Sequence, residues 1–521
     1  MKSQIPEKLI ETNKSPTFED RVGEKKLINV FAVGVTNEYC VEILQSLLER
    51  NYKIKCLSTS KNNGYWPSSL DNFLKKNNSK VLLSEDFYLP ERFMKILDPD
   101  YSIFSLDIFS ELAYYEKMFL LTTDRHSFWP ISQIARCRLF YRYIGHFYKI
   151  IKQENIETLL VFCFPHGITD IALFGLAKVI KLKVIYVDWP GLSTSFATIE
   201  TEIKTRRVYS KTDLTLNTNC ERPKTNHADR FMLEAMAPPV WGSLKSKNRL
   251  LILLRTLIGL ILRAPFGKYY NSSAFFLNVG PRKRLSYVIP LIRYYLNTKR
   301  IINFYNQHAQ VELKEKNYLV FFLHLQPEST TMPQSGIFAD QLLALDLILQ
   351  ALPEGVTVYV KEHPLMFLKF AEDTHERSIE FYSHMLKDPR VSLVDMSVDS
   401  LKLAKHATFV ASINGTISWE VMRSGKPCII FGWAWFSSCE SCYVVDSVNT
   451  LKDAFVGASA KNSDEVLSDV HSFMKDFSTK IVDAVPNQFA LSLMNTDFDR
   501  KQSVKNLSHA IDVEINSSGG S

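Results

Sequence analysis

Polar side chains that could bind a phosphate or transfer a proton follow three short apolar runs in the last third of the chain. The runs and the residues after them are 317–323 with Gln326 and Glu328, 356–360 with Lys361 and His363, and 409–411 with Ser412, Asn414, Gly415 and Thr416. Apolar runs separated by helical patterns predict parallel strands, whose carboxyl ends meet at one edge of a sheet. The sequence therefore predicts one crevice lined by three polar strand ends.

Asn414, Gly415 and Thr416 lie where a strand passes into a predicted helix. Free backbone N–H groups and the positive end of the helix dipole make such a start suited to a phosphate. The alternative is an ordinary helix cap, in which Asn414 or Thr416 satisfies the backbone of its own helix. The residue types leave both interpretations open.

Three further side chains each have a chemical and a structural interpretation. His363, held extended by Pro364, could donate to a phosphate or act as a general acid, or it is a structural hydrogen-bonding residue. Glu420 could accept hydrogen bonds from two ribose hydroxyls, or it is a solvated helix carboxylate. Glu328 could be a reactive buried carboxylate, or it closes a turn. Their common position at one sheet edge favours the chemical interpretation.

In the first half of the chain, His166 and Asp170 are the candidates for activating an acceptor hydroxyl. They are four residues apart at a predicted helix start, so they share one face. A His oriented by a carboxylate suits removal of a proton from an attacking hydroxyl. The alternative is that Asp170 caps the helix and His166 packs against its neighbours.

The elements that must position these residues alternate between strand and helix patterns in two regions of the chain. Strand–helix–strand units predict parallel sheets, so the fold class is α/β and GT-B-like, with two Rossmann-like domains facing a central cleft and a helical basic connecting segment. The predicted divisions are a flexible tail (1–26), an N-terminal acceptor domain (27–225), the connecting segment (226–310), a C-terminal nucleotide-sugar donor domain (311–480), C-terminal helices (481–512) and a tail (513–521).

The connecting segment contains ten Leu or Ile residues within the thirteen positions from 250 to 262, with basic residues close by between 245 and 268. Such a run is too short to cross a hydrocarbon core, which needs about twenty residues. It is therefore either a helix buried between the domains or an interfacial helix, with its apolar side in lipid and its basic flanks on anionic headgroups.

Composition excludes several classes of protein. The 521 residues include 34 Phe and 22 Tyr, which excludes extensive disorder, and a net charge of +7 does not indicate a nucleic-acid coat. The scattered cysteines predict reduced thiols, and the Cys439–Cys442 spacing lacks the second pair of a zinc site. No apolar secretory signal follows Met1, so we expect a cytoplasmic protein, peripheral on the inner membrane face if the 250–262 run is interfacial.

Several of these motifs together resemble those of bacterial capsule polysaccharide biosynthesis proteins, a family that includes GT-B transferases of Kdo (3-deoxy-D-manno-oct-2-ulosonic acid). The matching segments are 326–330, 340–341, 360–364, 381–382, 412–416 with Glu420, 425–427 and, more weakly, 164–167 with Asp170. His363-Pro364 is also similar to the His-Pro element of bacterial GT-B sialyltransferases, which contacts the phosphate of a CMP-sugar.

The resemblance implies a CMP-activated donor, with His363 at the phosphate and residues 412–416 around the phosphate or nucleotide. Gln326 belongs to the same predicted donor site, and Lys361 would help to neutralise the departing phosphate without a metal. Related retaining Kdo transferases place a nucleophilic Asp a few residues after the Gln, whereas this stretch has Glu328 and no Asp. Either Glu328 serves as the carboxylate or the mechanism differs.

We therefore predict a metal-independent, cofactor-free glycosyltransferase of surface polysaccharide synthesis. It would transfer Kdo or a related ulosonate from a CMP-sugar to a glycan or lipid-linked acceptor, with Glu328, His166 and Asp170 as catalytic residues. The alternatives are a UDP-sugar transferase or UDP-sugar 2-epimerase of the same fold, or a non-catalytic capsule-assembly partner. An anionic membrane surface that binds 245–268 is a further predicted partner, and nucleic acid is not one.

Overall fold

The computed structural model describes most of two α/β units. The residues described are 27–59, 66–83, 97–126, 132–162, 167–189, 196–200, 254, 258, 288–312, 316–326, 328, 330–332, 334–363, 366, 377–486 and 499–517. Helices and strands are numbered in chain order within these ranges. The predicted tail 1–26 lies outside them.

The first unit is built on a seven-stranded sheet that takes its last strand from near the end of the chain. Its strands are β1 (Ile28–Val33), β2 (Tyr52–Thr59), β3 (Lys80–Leu83), β4 (Thr158–Val161), β5 (Lys183–Asp188), β6 (Phe196–Glu200) and β14 (Val482–Asp483). They stand in the order β14-β6-β5-β4-β1-β2-β3, and all pairs are parallel except β5–β6 and β6–β14. Its helices are α1 (Glu38–Leu48), α2 (Leu70–Asn77), α3 (Leu106–His126), α4 (Gln133–Glu154) and α5 (Ile168–Val179), with a 3₁₀ turn at Tyr101–Ile103.

The strands of the first sheet are apolar along their length because both faces are covered. In β1, Phe31 and Val33 pack into a core that includes residues of α3, α4 and α5. Val30 and Ala32 point to the opposite face and pack with residues of α1. A parallel sheet buried on both faces produces near-continuous apolar runs, which is the pattern that predicted these strands.

The second unit has a seven-stranded sheet that is parallel throughout. Its strands are β7 (Ala309–Gln310), β8 (Tyr318–Phe322), β9 (Thr357–Lys361), β10 (Val391–Val394), β11 (Phe409–Ser412), β12 (Cys428–Ile430) and β13 (Cys442–Val444), in the order β13-β12-β11-β8-β9-β10-β7. Its helices are α6 (Val288–His308), α7 (Gln341–Ala351), α8 (Ile379–Met385), α9 (Ser400–His406), α10 (Thr416–Arg423), α11 (Val448–Ala460) and α12 (Ser463–Ser478), with a 3₁₀ turn at Gly336–Ala339.

Both sheets have the strand order of a doubly wound fold. The chain runs outward from β1 through β2 to β3 and then restarts beside β1 with β4, and β8 and β11 are related in the same way in the second sheet. The predicted α/β class with two Rossmann-like units is therefore confirmed. In such sheets ligands bind at the carboxyl ends of the strands where the order reverses, which here lies between β1 and β4 and between β8 and β11.

The register of the second sheet brings three polar strand ends level with one another. Phe322 of β8 is paired with Lys361 of β9 on one side and with Ser412 of β11 on the other. The residues that follow these three positions therefore leave the sheet at the same edge. This confirms the predicted convergence of the three strand ends.

The end of the chain returns to the first unit. After β14, helix α13 (Arg500–Asn516) packs on α1, and the hydroxyls of Tyr39 and Ser503 lie 2.7 Å apart. Tyr52 donates a hydrogen bond to Asp512 at 2.6 Å. The stretch predicted as C-terminal helices thus begins with an edge strand of the first sheet.

Helix α6 belongs structurally with the second sheet, although the sequence pattern placed it in the connecting segment. Tyr305 is buried in the core of the second unit, and its hydroxyl donates to the carbonyl of Val394 at 2.6 Å. Ile301 packs in the same core. The predicted bounds of the remaining divisions stay predictions.

No helix in the ranges given above is long and apolar enough to span a bilayer. The 250–262 run lies outside those ranges except for Leu254 and Ile258, which are helical and one turn apart. Their exposed fractions are 46% and 52%. The choice between an interfacial helix and a helix buried between the domains stays a prediction.

Candidate functional site

The loops after β8 and β11 meet at the reversal point of the second sheet. The backbone N–H of Asn414 donates to Nε2 of His324 at 3.2 Å. A Cβ at position 415 would lie 2.9 Å from the same nitrogen, so the close approach of the two loops requires Gly415. Gly415 caps the start of α10, and its own N–H donates to Oγ of Ser412 at 3.3 Å.

A buried arginine joins the loop after β8 to the end of β9. The Arg377 guanidinium donates to Oε2 of Glu362 at 2.7 Å and to Oε1 of Gln326 at 2.9 Å. It also donates to the backbone carbonyl of His324 at 2.8 Å. Arg377 and Glu362 are almost fully buried, so this ion pair is shielded from water. The network fixes the relative positions of two strand ends.

Glu362 fixes the backbone of the residue that carries the candidate imidazole. Its Oε1 accepts from the N–H of His363 at 2.7 Å, and its Oε2 accepts from the Tyr382 hydroxyl at 2.6 Å. The N–H of Glu362 in turn donates to the hydroxyl of Tyr305 at 3.2 Å. His363 itself is half-buried, so it lies at the rim of a rigid buried network. Such support is what a binding residue needs to keep its orientation.

Glu328 lies in a tight turn that is tied to the same reversal point. Its backbone carbonyl accepts from the N–H of Met332 at 2.7 Å, and its carboxylate accepts from the Thr330 hydroxyl at 3.1 Å. The carbonyl of Thr330 accepts from the side chain of Asn414 at 2.6 Å. Glu328 is half-buried. The structure thus brings Glu328 near the start of α10 through a two-step hydrogen-bonded connection.

The side-chain amide of Asn414 has a fixed orientation and a vacant acceptor. Its nitrogen donates to two backbone carbonyls, those of Thr330 and Trp433, so the amide cannot be reversed without losing both bonds. The other atom, Oδ1, is buried and accepts from no group within the described part of the chain. Asn414 as a whole is only 8% exposed. A buried acceptor without a donor is costly unless a ligand supplies one.

Three residues predicted to bind the donor are engaged in the fold. The Lys361 ammonium donates to the carbonyl of Asp395 at 3.0 Å, and burial lowers its pKa. Gln326 uses its oxygen for Arg377 and its nitrogen for the carbonyl of Ala339. Ser412 is fully buried and shares a hydrogen bond with Ser418. Contact of these three with a ligand stays a prediction.

The other predicted donor residues lie on α10. Thr416 is the exposed first residue of the helix, directly after the Gly415 cap. Glu420 is half-buried one turn further on, and burial raises the pKa of its carboxyl while Arg423 partly opposes that shift. A role for either residue at a nucleotide stays a prediction.

At the reversal point of the first sheet, Asp170 caps α5. Its carboxylate accepts from the N–H of Gly167 at 3.1 Å and from the Thr169 hydroxyl at 3.2 Å. It also lines a small cavity with Val33 and Ser58, at the carboxyl ends of β1 and β2. His166 lies outside the described residues. The capping contact matches the structural alternative for Asp170, and its catalytic role stays a prediction.

The paired cysteine motif is buried in the second unit. Burial raises the pKa of the Cys439 thiol to about 12 and that of Cys442 well above its usual range. Cys442 pairs with Cys428 in the β12–β13 register. Thiols in this setting stay protonated at neutral pH and pack as small apolar groups. In the part of the chain with described structure, no three His, Cys, Asp or Glu side chains are placed to hold a metal ion.

Burial lowers the pKa of His324 to about 3, and the neighbouring His363 and Arg377 add to the shift. A neutral ring is required here, because Nε2 must accept from Asn414. Below about pH 6.5 this imidazole is protonated in the unfolded chain but stays neutral in the folded protein. The free energy of unfolding therefore falls as the pH falls. We expect the free energy of unfolding to drop by about 1–2 kcal/mol more between pH 7 and pH 5 than in His324→Gln.

Urea unfolding of both proteins at the two pH values measures this difference. The lowered pKa of His146 contributes equally to both proteins and cancels in the comparison. Parallel pH dependences in the wild type and the variant would contradict a neutral, buried His324.

The sequence predictions missed His324 and Arg377. His324 follows the apolar run of β8 directly, so a polar residue at the end of a buried strand was an available signal. Arg377 lies fourteen residues after His363 with no pattern that connects them. Its place in the site arises from tertiary packing alone.

No protein-family profile and no curated protein matches the chain. Among solved structures, the chain is similar to the UDP-GlcNAc 2-epimerase of Methanocaldococcus jannaschii, with 11% identity, a TM-score of 0.24, and coverage of 85% of this chain and 98% of that one. It is also similar to KpsC, the β-Kdo 2,4 transferase of Thermosulfurimonas dismutans, with 13% identity, a TM-score of 0.27, and coverage of 62% and 88%. It is similar as well to MurG of Acinetobacter baumannii, with 8% identity, a TM-score of 0.22, and coverage of 86% of this chain and 95% of that one. Likenesses this distant do not indicate what the chain binds.

Proposed function

We propose that this protein is a GT-B glycosyltransferase that takes Kdo or a related ulosonate from a CMP-activated donor and transfers it to a glycan or lipid-linked acceptor of surface polysaccharide synthesis. The resemblance of 326–330, 360–364 and 412–416 to capsule polysaccharide proteins supports the donor class. The doubly wound order of both sheets supports the fold on which such transferases are built.

One observation supports this proposal most directly: at the reversal point of the second sheet, a buried acceptor without a described donor lies beside the exposed first residue of α10. Asn414 Oδ1 accepts from no described group, and Thr416, the first residue of α10, is exposed. The hydroxyl and amino groups of a nucleotide sugar are donors that could bond to Asn414 Oδ1. Its phosphate is an anion that suits the start of α10. Ligand sites of doubly wound sheets lie at this position.

The reaction requires charge to be stabilised on the departing CMP phosphate. The first turn of α10 offers backbone N–H groups there, and His363 would donate a hydrogen bond or a proton to the same phosphate. Glu328 would act on the sugar, as a nucleophile or as a general base. The acceptor hydroxyl would lose its proton to His166, with Asp170 orienting the imidazole.

A lipid-linked acceptor would bring the enzyme to the inner membrane face. We propose that the 245–268 segment makes this contact, as a cytoplasmic and peripheral attachment. The exposure of Leu254 and Ile258 on one side of a helical turn supports it.

Nucleotide binding is the direct test, read by calorimetry with CMP, UDP and GDP. We expect selective binding of CMP, and we expect His363→Ala to weaken it by about tenfold to a hundredfold, because a charge-assisted contact to phosphate is worth roughly 1.5–3 kcal/mol. His384→Ala, at an exposed histidine of α8, is the matched control and should leave CMP affinity unchanged. Selective binding of UDP would instead support the UDP-sugar alternatives, and binding of none would favour a non-catalytic partner.

A further inference from the structure

Helix α6 has one side in the core of the second unit and aliphatic side chains on the opposite side. Thr298, Ile301 and Tyr305 are buried and lie along one stripe of the helix. At about 100° per residue, Ile292 and Leu296 fall on the far side of the helix from that stripe. Their exposed fractions are 39% and 50%. Within the part of the chain that the structure describes, this aliphatic pair is therefore partly exposed and belongs to neither of the buried cores.

Exposed cations surround this aliphatic pair. Arg293, Lys299 and Arg300 are all exposed on α6, and Lys299 lies in the same stripe as Ile292 and Leu296. The helix contains no acidic residue. We call this surface, made of Ile292, Arg293, Leu296, Lys299 and Arg300, the α6 face.

The α6 face lies within the most basic stretch of the chain. Residues 235–311 contain twelve Lys and Arg and no Asp or Glu, whereas the whole chain has a net charge of only +7. The rest of the chain is therefore net acidic. The positive charge of the protein is concentrated on the stretch that also holds Leu254 and Ile258, the other exposed aliphatic pair spaced by one helical turn.

We propose that the α6 face is a docking surface for an anionic phospholipid bilayer. Aliphatic side chains at the centre of a basic helical surface enter the acyl boundary while the cations contact headgroups. Contacts with the phosphates of a nucleic acid would need the cations alone. They would not explain why Ile292 and Leu296 are exposed among those cations. The face is on the second unit, so the membrane holds the unit with the candidate nucleotide site directly, in addition to any contact by 245–268.

Sedimentation with vesicles tests the proposal on the full-length protein without nucleotide. We expect binding to vesicles containing about a third phosphatidylserine and little binding to phosphatidylcholine alone. Ile292→Ser with Leu296→Ser removes the aliphatic pair and should lower the partition constant by about tenfold or more. Arg293→Gln, Lys299→Gln and Arg300→Gln together should lower it by roughly a hundredfold, since each cation near an anionic surface contributes about fivefold.

The matched control is Val456→Ser with Leu467→Ser, which removes two exposed aliphatic residues from α11 and α12. This control should bind vesicles like the wild type, and thermal melts should show that all variants remain folded. Unchanged vesicle binding in both α6 variants would overturn the proposal, as would loss of binding only in Leu254→Ser with Ile258→Ser. A change of oligomeric state in the α6 variants would assign the face to a second copy of the chain.

This inference does not rest on the proposed transferase activity. Vesicle binding and nucleotide binding are measured separately, so either can fail while the other holds.

Discussion

Replacing Arg377 by methionine should lower the free energy of unfolding by about 3–5 kcal/mol, among the largest effects expected for a single substitution in this protein. The side chain is buried and donates to Glu362, to Gln326 and to the carbonyl of His324. Methionine fills similar volume but donates to none of them. Glu362 then loses its ionic partner inside the protein, and among the described residues only Tyr382 and the N–H of His363 remain as its donors.

Chemical denaturation of two further variants separates the charge effect from packing. Adding Glu362→Gln to Arg377→Met removes the unpaired charge and should restore part of the lost stability. Arg390→Met is the matched control, because Arg390 pairs with Asp388 at 2.7 Å in a largely exposed position. Arg390→Met should lower the free energy of unfolding by less than about 1 kcal/mol. If Arg377→Met and Arg390→Met lowered the free energy of unfolding equally, the buried ion pair would contribute no more to stability than the exposed one.

Changing Glu328 to glutamine should lower sugar transfer by about 10²–10⁴-fold while leaving CMP affinity nearly unchanged. The carboxylate is proposed to act on the sugar, whereas CMP would be held by His363 and the start of α10. The amide keeps the size of the side chain and can still accept from the Thr330 hydroxyl, so the turn should persist. CMP release from a panel of CMP-sugars measures the rate, and calorimetry measures the affinity.

Glu354→Gln provides the control for the Glu328 experiment. Glu354 is an exposed carboxylate just before β9, at the amino edge of the same sheet, and its loss should not alter transfer. Retention of more than about a tenth of the activity in Glu328→Gln would argue against a chemical role. A glycosyl adduct seen by intact mass with donor alone would identify a nucleophile.

The sheet architecture could be predicted because parallel strands covered on both faces have a distinctive sequence. The apolar runs predicted as strands at 317–323, 356–360 and 409–411 contain most of β8, β9 and β11. The convergence of three strand ends followed from the same pattern, since register in a parallel sheet levels neighbouring strands. Local apolar periodicity was therefore enough to predict the fold class and the location of the candidate site.

The interior of the site could not be predicted in the same way. Arg377 reaches Gln326 across 51 positions and the carbonyl of His324 across 53, and no local pattern encodes such contacts. Lys361 looks available from the sequence, but its ammonium is bound to backbone carbonyls after β10. Among the side chains of α6 whose burial is described, the buried ones are Thr298, Ile301 and Tyr305, and this stripe is too mixed in polarity to predict that the helix packs in a core.

The return of the chain end to the first sheet has a consequence for synthesis on the ribosome. Tyr39 and Ser503 are 464 positions apart, so the hydrogen bond between them and the packing of α13 on α1 cannot form until α13 has also left the ribosome. The unit that contains α1 is therefore completed only after α13 is made, whereas residues 288–478 can close their own sheet before α13 is translated. Until then the α13 side of α1 and the β6 edge stay uncovered, and this waiting period is when a nascent chain is most open to aggregation.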